Sequence, residues 1–396
     1  MERANLERKN QRTAKMQLSL IRTVMERARE LERQGQPIVH LELGEPNFNT
    51  PAPIVEATIQ ALRDGFTHYG PDEGIDELRE IIAERFYNKK GIKVDPYENI
   101  IITTGASEAI FDAVVGLTGP GHSVLIPEPA FGNYYNCCLC AGSQPVHVPL
   151  RLSDRCRLDF NALEAALEGN TAFIILNNPH NPTGGMFTAT EIKKLADFVL
   201  KNDLIVIADE IYEDIFYGSE PPLSIASLPG MQERTVVVGG FSKTYAMTGW
   251  RVGYAVVPTP LYASVQKIHQ YAVTCVSTFS QVGIANSIDR CDKEVQEIKG
   301  ELGKRRQYLL EELNKMEGVS YITPEGAFYL FINIAGFGLS SLEFSRRLLE
   351  EKGLATVPGS AFGPSGEGYI RISYATSPQE IEKGVSLLRA FLADLY

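Results

Sequence analysis

Residues 204–212 read LIVIADEIY, and residues 236–243 read VVVGGFSK. In each stretch a short apolar run ends abruptly at groups with chemistry: Asp209 and Tyr212 in the first, Lys243 in the second. A strand with one wet face alternates polar and apolar residues, whereas a strand covered on both faces stays apolar throughout. The two runs therefore predict buried strands over Leu204–Ala208 and Val236–Gly239.

Four further runs read the same way: Ile100–Thr103, Val124–Pro127, Phe173–Leu176 and Gly253–Val257. Helical spacings lie between them, for example Ile192, Leu195, Ala196 and Val199. This alternation of strand and helix, from about residue 50 to 290, predicts an α/β layer fold with a mostly parallel sheet. Near residue 292 the pattern changes. Val295, Ile298, Leu302, Leu309, Leu313 and Met316 predict one long amphipathic helix, followed by strands near Ala327–Ile334 and Tyr369–Tyr374 with a helix between them. Ser377, Pro378 and Glu380 open a last helix as a capping box. This tail reads as a smaller α+β domain. Residues 14–34 read as an amphipathic helix, with Leu18, Ile21, Met25, Ala28 and Leu31 on one face.

The chain has 396 residues, enough for two or three domains at about 150 residues each. Lys and Arg number 38 against 49 Asp and Glu, a net charge of −11, which argues against nucleic acid or an anionic membrane as the main partner. No run approaches the roughly 20 apolar residues of a membrane span. The first residues, MERANLERKNQR, lack the apolar core of a secretory signal, so a cytoplasmic location is expected. Six cysteines, three of them in CCLC at 137–140, show no paired metal-ligand spacing, and no metal site is expected.

Parallel sheets bind ligands beyond the carboxyl ends of their strands. The first run leads into Thr104-Gly105-Ala106-Ser107, which is a helix cap or an anion-binding helix N-terminus. The others lead into Glu128-Pro129-Ala130-Phe131, NNPHNPTGG (177–185), Asp209 to Tyr212, and Gly240 to Lys243. Asp209 can cap the helix that follows, and Lys243 can be a solvated surface amine. Brought to one rim, these groups instead form a phosphate cradle, a carboxylate, a phenol, an aromatic ring and an amine. That set describes a site for pyridoxal 5'-phosphate (PLP). No GxGxxG follows the early strands, which disfavours a dinucleotide site.

The chain resembles the class I/II aminotransferases, PLP-dependent enzymes of fold type I in the aspartate aminotransferase superfamily. The motifs that carry the resemblance are LELGEPNFNTP (41–51), THYGPDEGIDELRE (67–80), NNPHNPTGG, ADEIYED (208–214), FSKTYAMTGWRVGY (241–254), GAFYLF (326–331), VPGSAFG (357–363) and YIRISYA (369–375). The resemblance implies a large domain with a mostly parallel seven-stranded sheet plus a smaller α+β domain. It divides the chain into an N-terminal arm (1–46) packing with the small domain, a large PLP-binding domain (47–291) and a small C-terminal domain (292–396).

It also implies roles. Lys243 resembles the lysine that holds the cofactor as a Schiff base and then moves the substrate's Cα proton. Asp209 resembles the carboxylate that keeps the pyridine nitrogen protonated. Tyr212 and Asn181 resemble the partners of the phenolic oxygen, and Phe131 the ring that stacks on the cofactor. Gly105, Ala106, Ser107 and Arg251 match phosphate-binding positions, and Ser242, just before the lysine, is the candidate to compensate for the Ser that Gly240 replaces. Tyr69 resembles the tyrosine that reaches the phosphate of the neighbouring subunit, which implies a homodimer. Arg371 resembles the clamp for the substrate α-carboxylate, shared with Asn181 and the backbone of Gly44.

Three positions depart from the family pattern. Gly240 stands where many relatives have a phosphate-binding Ser. Ser107 stands where some aspartate-type relatives carry a Lys for a distal carboxylate, so a dicarboxylic substrate is not assumed. Phe131 replaces Trp or Tyr. The expected activity is transfer of an amino group between an amino acid and a 2-oxo acid. The alternative is another fate of the same carbanion: elimination, β/γ-replacement, cyclisation or oxidation. A DNA-binding regulator on this fold is disfavoured by the charge and by the presence of Lys243.

Overall fold

A computed structural model describes residues 12–16 and 18–395. A two-residue strand, β1 (Val39–His40), precedes the large sheet. That sheet contains β2 (Ile100–Thr103), β3 (Ser123–Glu128), β4 (Gln144–Pro149), β5 (Thr171–Asn177), β6 (Ile205–Asp209), β7 (Thr235–Gly240) and β8 (Gly253–Val256). Their spatial order is β2-β8-β7-β6-β5-β3-β4. The pairs from β7 to β4 are all parallel, and β8 runs antiparallel to both of its neighbours.

All six runs expected to be strands in this sheet are strands, with ends moved by at most two residues. The seventh, β4, lay outside the reading because its sequence QPVHVP carries two prolines. It is an edge strand with mostly half-buried or exposed residues, where a missing N–H costs no ladder bond.

Side chains alternate between two cores. Ile101, Val124, Ile126, Phe173, Ile175, Ile207, Val236 and Val238 face one way, against Ile110 and Val114 of the helix Ala106–Leu117 and Val265 of the helix Thr259–Ala272. Ile100, Ile102, Leu125, Ile174, Val206 and Val237 face the other way, against Leu78, Ile82, Ile192, Leu195 and Val199. Each such side chain contributes about 1.5–3 kcal/mol on full burial, which explains why these strands contain no polar interruption.

A second, antiparallel sheet has the order β12-β13-β10-β9, with β9 (Ser320–Ile322), β10 (Tyr329–Asn333), β12 (Val357–Pro358) and β13 (Tyr369–Ser373). The helices Asp292–Leu313, Ser341–Lys352 and Pro378–Leu395 pack on it through Ile298, Leu302, Leu309, Phe344, Leu348, Val385 and Phe391. The long helix stops at Leu313, and Met316 joins the same core from beyond its end. Ser377 Oγ accepts the Glu380 amide at 3.2 Å, one half of the expected capping box. Glu380 Oε1 takes Lys383 Nζ at 3.0 Å.

The N-terminal helix spans Leu20–Arg33, shorter than the expected 14–34. Thr13–Lys15 forms a separate 3-10 turn, and Leu18 is exposed. Ala28 and Leu31 pack on Leu349 and Ala355, next to the parallel pairing of β1 with β11 (Leu354–Ala355).

Candidate active site

The parallel strands β3, β5, β6 and β7 end at one rim, and the reversed strand β8 begins there. The register sets Thr103 and Gly240 on either side of Gly253. This three-strand corner brings together Gly105 (after β2), Lys243 (after β7) and Arg251 (before β8).

The turn leads into a helix, Ala106–Leu117, capped by Gly105. Gly105 has φ +78°, a backbone angle that favours glycine, and a Cβ there would stand 2.5 Å from Arg251 Nη2 and displace the guanidinium. The first intrahelical bonds return from Glu108 and Ala109 to the Gly105 carbonyl, which leaves the Ala106 and Ser107 amides ahead of the helix. Ser107 itself is exposed. Arg251, at φ +57°, curls over this end, with Nη1 donating to Thr248 O at 2.8 Å and Nη2 to Thr104 O at 3.2 Å.

Lys243 Nζ donates to Gly44 O at 2.7 Å and lies 6.0 Å from the Phe328 ring centroid. Burial pushes its pKa down to about 8. Glu45 and Asp209 raise it, while Arg371 and Arg251 lower it further, so the amine sits among all four charges. Ser242, just before it, is buried.

Asp209 is buried at the end of β6. Burial raises its carboxyl to about 6, against the hydrogen bonds that favour the charged form. One bond is from Tyr134 Oη to Oδ2 at 2.6 Å, the other from the Ile211 amide to Oδ1 at 3.2 Å. Tyr134 escaped the sequence reading. It lies on the helix Asn133–Ala141, three residues after Phe131, and the two rings meet edge to face at 5.8 Å. One helical turn after the expected stacking residue was the available signal.

Arg371 projects from β13, 2 % exposed. Its Nη1 donates to Asn181 Oδ1 at 3.1 Å and its Nη2 to Glu42 O at 2.6 Å, while Nε has no hydrogen-bond partner among the described residues. A buried guanidinium with unused donors is costly unless an anion completes it. Tyr329 on β10 also went unread, although GAFYLF contained it. Its hydroxyl is 2.7 Å from that of Tyr212, its ring centroid lies 4.4 Å from the Arg371 guanidinium carbon, and the same hydroxyl fills the space where Gly44 would carry a Cβ. Burial raises the Tyr212 phenol well above its ordinary pKa.

Beside this group an open cleft of about 530 Å³ is lined by Glu45, Phe48, Trp250 and Phe279 among others. One predicted residue is not brought in: Tyr69 is 88 % exposed, on a loop whose His68 carbonyl accepts from Thr278 Oγ1 at 2.8 Å.

Residues 36–388 match the family model described as aminotransferase class I and II. The chain belongs to that family. It is an aminotransferase, an enzyme of EC 2.6.1 type, and the lyase and replacement alternatives are not favoured. An aspartate aminotransferase of Pyrococcus abyssi is 42% identical over 359 residues, covering 90% of this chain and 92% of that protein. Aromatic-amino-acid aminotransferase 2 of Thermococcus litoralis is 40% identical over 367 residues, covering 92% and 94%. The crystal structure of an aromatic aminotransferase from Pyrococcus horikoshii superposes with a TM-score of 0.88 at 41% identity, covering 93% of this chain and 100% of that one. The aminotransferase fold is fold type I of the PLP-dependent transferases, as the sequence resemblance implied.

Proposed function

We propose that this aminotransferase uses PLP to move an amino group between an amino acid and a 2-oxo acid, as a homodimer in the cytoplasm. The observation that carries the reading is the Lys243 amine, depressed to about 8 and surrounded by Asp209, Arg251 and Arg371.

The residues fit the cofactor. Gly105, Ala106, Ser107 and Arg251 offer free amides, a helix N-terminus and a guanidinium fork to a phosphate. Asp209 offers a buried carboxylate to a pyridinium nitrogen. In this reading Asn181 and Tyr212 bind the phenolic oxygen, Phe131 covers the ring face, and Ser242 serves the phosphate. When bound, PLP supplies an aldehyde for amines and a protonated ring that accepts the electron pair of the Cα–H bond.

The chain's own residues do the rest. Arg371 and Asn181, with the Gly44 backbone, bind the substrate carboxylate and fix the Cα–H bond in one orientation. Lys243 Nζ, neutral in a large fraction of molecules at pH 8, would take the proton from Cα and pass it to the carbon that carried the aldehyde. Tyr134 holds Asp209 in its charged form.

Tyr69 supports the dimer reading, because its exposed ring is open to a neighbouring subunit. The six free thiols suit a reducing compartment. No helix among the described residues is long and apolar enough to cross a membrane. The division into an arm (1–46), a large domain (47–291) and a small domain (292–396) is part of the same proposal, supported by the separation of the seven-stranded and four-stranded sheets.

The test is a panel of amino acids offered to the PLP-loaded protein. Transamination converts the cofactor to its amine form, and a 2-oxo acid restores it. If no amino acid does this reversibly, the reading fails.

A further inference from the structure

The helix Ala106–Leu117 that heads the phosphate turn carries a second cluster on its other flank. Glu108 and Asp112, four residues apart on one face, both point at His269 of the helix Thr259–Ala272. Asp112 and His269 are fully buried. His269 Nδ1 is 2.9 Å from Glu108 Oε1 and 3.7 Å from Asp112 Oδ2, and Nε2 is 2.7 Å from the backbone oxygen of Asp72.

A backbone carbonyl only accepts, so Nε2 carries a hydrogen. A neutral ring would then turn a bare lone pair on Nδ1 toward two carboxylates. A second proton makes that contact attractive, and the ring is an imidazolium donating at both nitrogens. Burial opposes this charge, but the Asp112 and Glu108 carboxylates outweigh it and lift the pKa to about 10.

Buried ions are expensive, so what they hold in place matters. The second oxygen of Glu108 accepts the amide of Thr104, the first residue of the phosphate turn. The carbonyl of Thr104 takes Arg251. On the other side, Asp72 lies three residues after Tyr69, and the Thr259–Ala272 helix grips this segment twice more. Gln270 Nε2 reaches Asp72 Oδ2 at 2.6 Å, and Gln266 reaches Glu73.

We propose that His269 is a positioning residue for the cofactor phosphate: its two N–H donors tie the turn Thr104–Ser107 to the segment that presents Tyr69. The inference rests on the cofactor reading above.

The experiment titrates cofactor-free protein with PLP, with pyridoxal lacking the phosphate, and with inorganic phosphate. The first two are followed by absorbance and the third by protection against thermal unfolding. His269→Gln is expected to weaken PLP and inorganic phosphate about tenfold, the size of one lost charge-assisted hydrogen bond, and to leave pyridoxal unchanged. Equal weakening of PLP and pyridoxal means general loss of structure and overturns the proposal, as does no change in either. If His269→Gln does not fold, Asp112→Asn, which removes only the charge behind the ring, decides by the same ratio. If dialysis of the wild type against a chelator reproduces the variant, a metal ion and not a proton joins these groups, and the proposal falls. A wild type that takes up no PLP sinks the cofactor reading, while the phosphate arm still judges His269.

Discussion

The hydroxyl of Tyr134 donates to Asp209 Oδ2 at 2.6 Å inside the sheet's rim, where both residues are buried. A hydrogen bond to the charged form of a carboxylate lowers its pKa, here working against burial, which has already raised it to about 6. Tyr134→Phe removes the donor, so the Asp209 pKa rises further. The acid limb of the kcat/KM profile should move up by about one pH unit, with several-fold loss at pH 7 and recovery above pH 8. An unmoved acid limb would show that Tyr134 does not tune this carboxylate.

Lys243 carries the next expectation. Its amine is depressed to about 8, so its reactive neutral form grows as pH rises through that value and not through the ordinary lysine range. The rate at which cofactor-free protein takes up pyridoxal should rise with pH and level off above about 9. Lys243→Ala should abolish the near-visible absorbance of lysine-bound cofactor. A surviving band would place the attachment on another amine.

Arg371 is held by Asn181 and the Glu42 carbonyl, and in the proposed function it binds the substrate carboxylate. Arg371→Lys keeps a charge but loses the planar fork. KM for both the amino acid and the 2-oxo acid should rise by about 30-fold or more, the equivalent of about 2 kcal/mol, with the affinity for PLP little changed. Equal loss of cofactor and substrate binding would point to a folding defect.

Gly105→Ala combines two penalties, a positive φ and a Cβ 2.5 Å from the Arg251 guanidinium. Titration of the cofactor-free variant should show weaker PLP binding by about tenfold or more, because the turn and Arg251 cannot both hold their places.

Thr188 offers a control on stability. It forms a complete capping box with Glu191 at the head of the helix Ala189–Lys201. Thr188→Ala should cost about 1 kcal/mol by denaturant unfolding and leave kcat/KM unchanged.

Much of the molecule was legible in the chain because burial on both faces writes itself as unbroken apolar runs. Ile100–Thr103, Leu204–Ala208 and Val236–Gly239 read as strands, with Asp209 following the second and Lys243 shortly after the third. The edge strand Gln144–Pro149 was not legible, because an edge relaxes the rules that make a strand recognisable, and two prolines hid it. The length of the first helix was misjudged for a related reason: Leu18 fits the apolar spacing yet faces solvent.

Other features arose only from tertiary structure. The reversal of β8 places Arg251 on the same rim as Gly105 and Lys243, and no local pattern encodes a strand's direction. Tyr134 beside Asp209, Tyr329 beside Tyr212, and His269 between Glu108 and Asp72 are pairings across 75, 117, 161 and 197 residues. The chain's own order settles which groups stand at strand ends, through the periodicity of burial. Which of them touch is settled by the packing of distant elements, because a hydrogen bond depends on separation in space and leaves no trace in the spacing of the sequence.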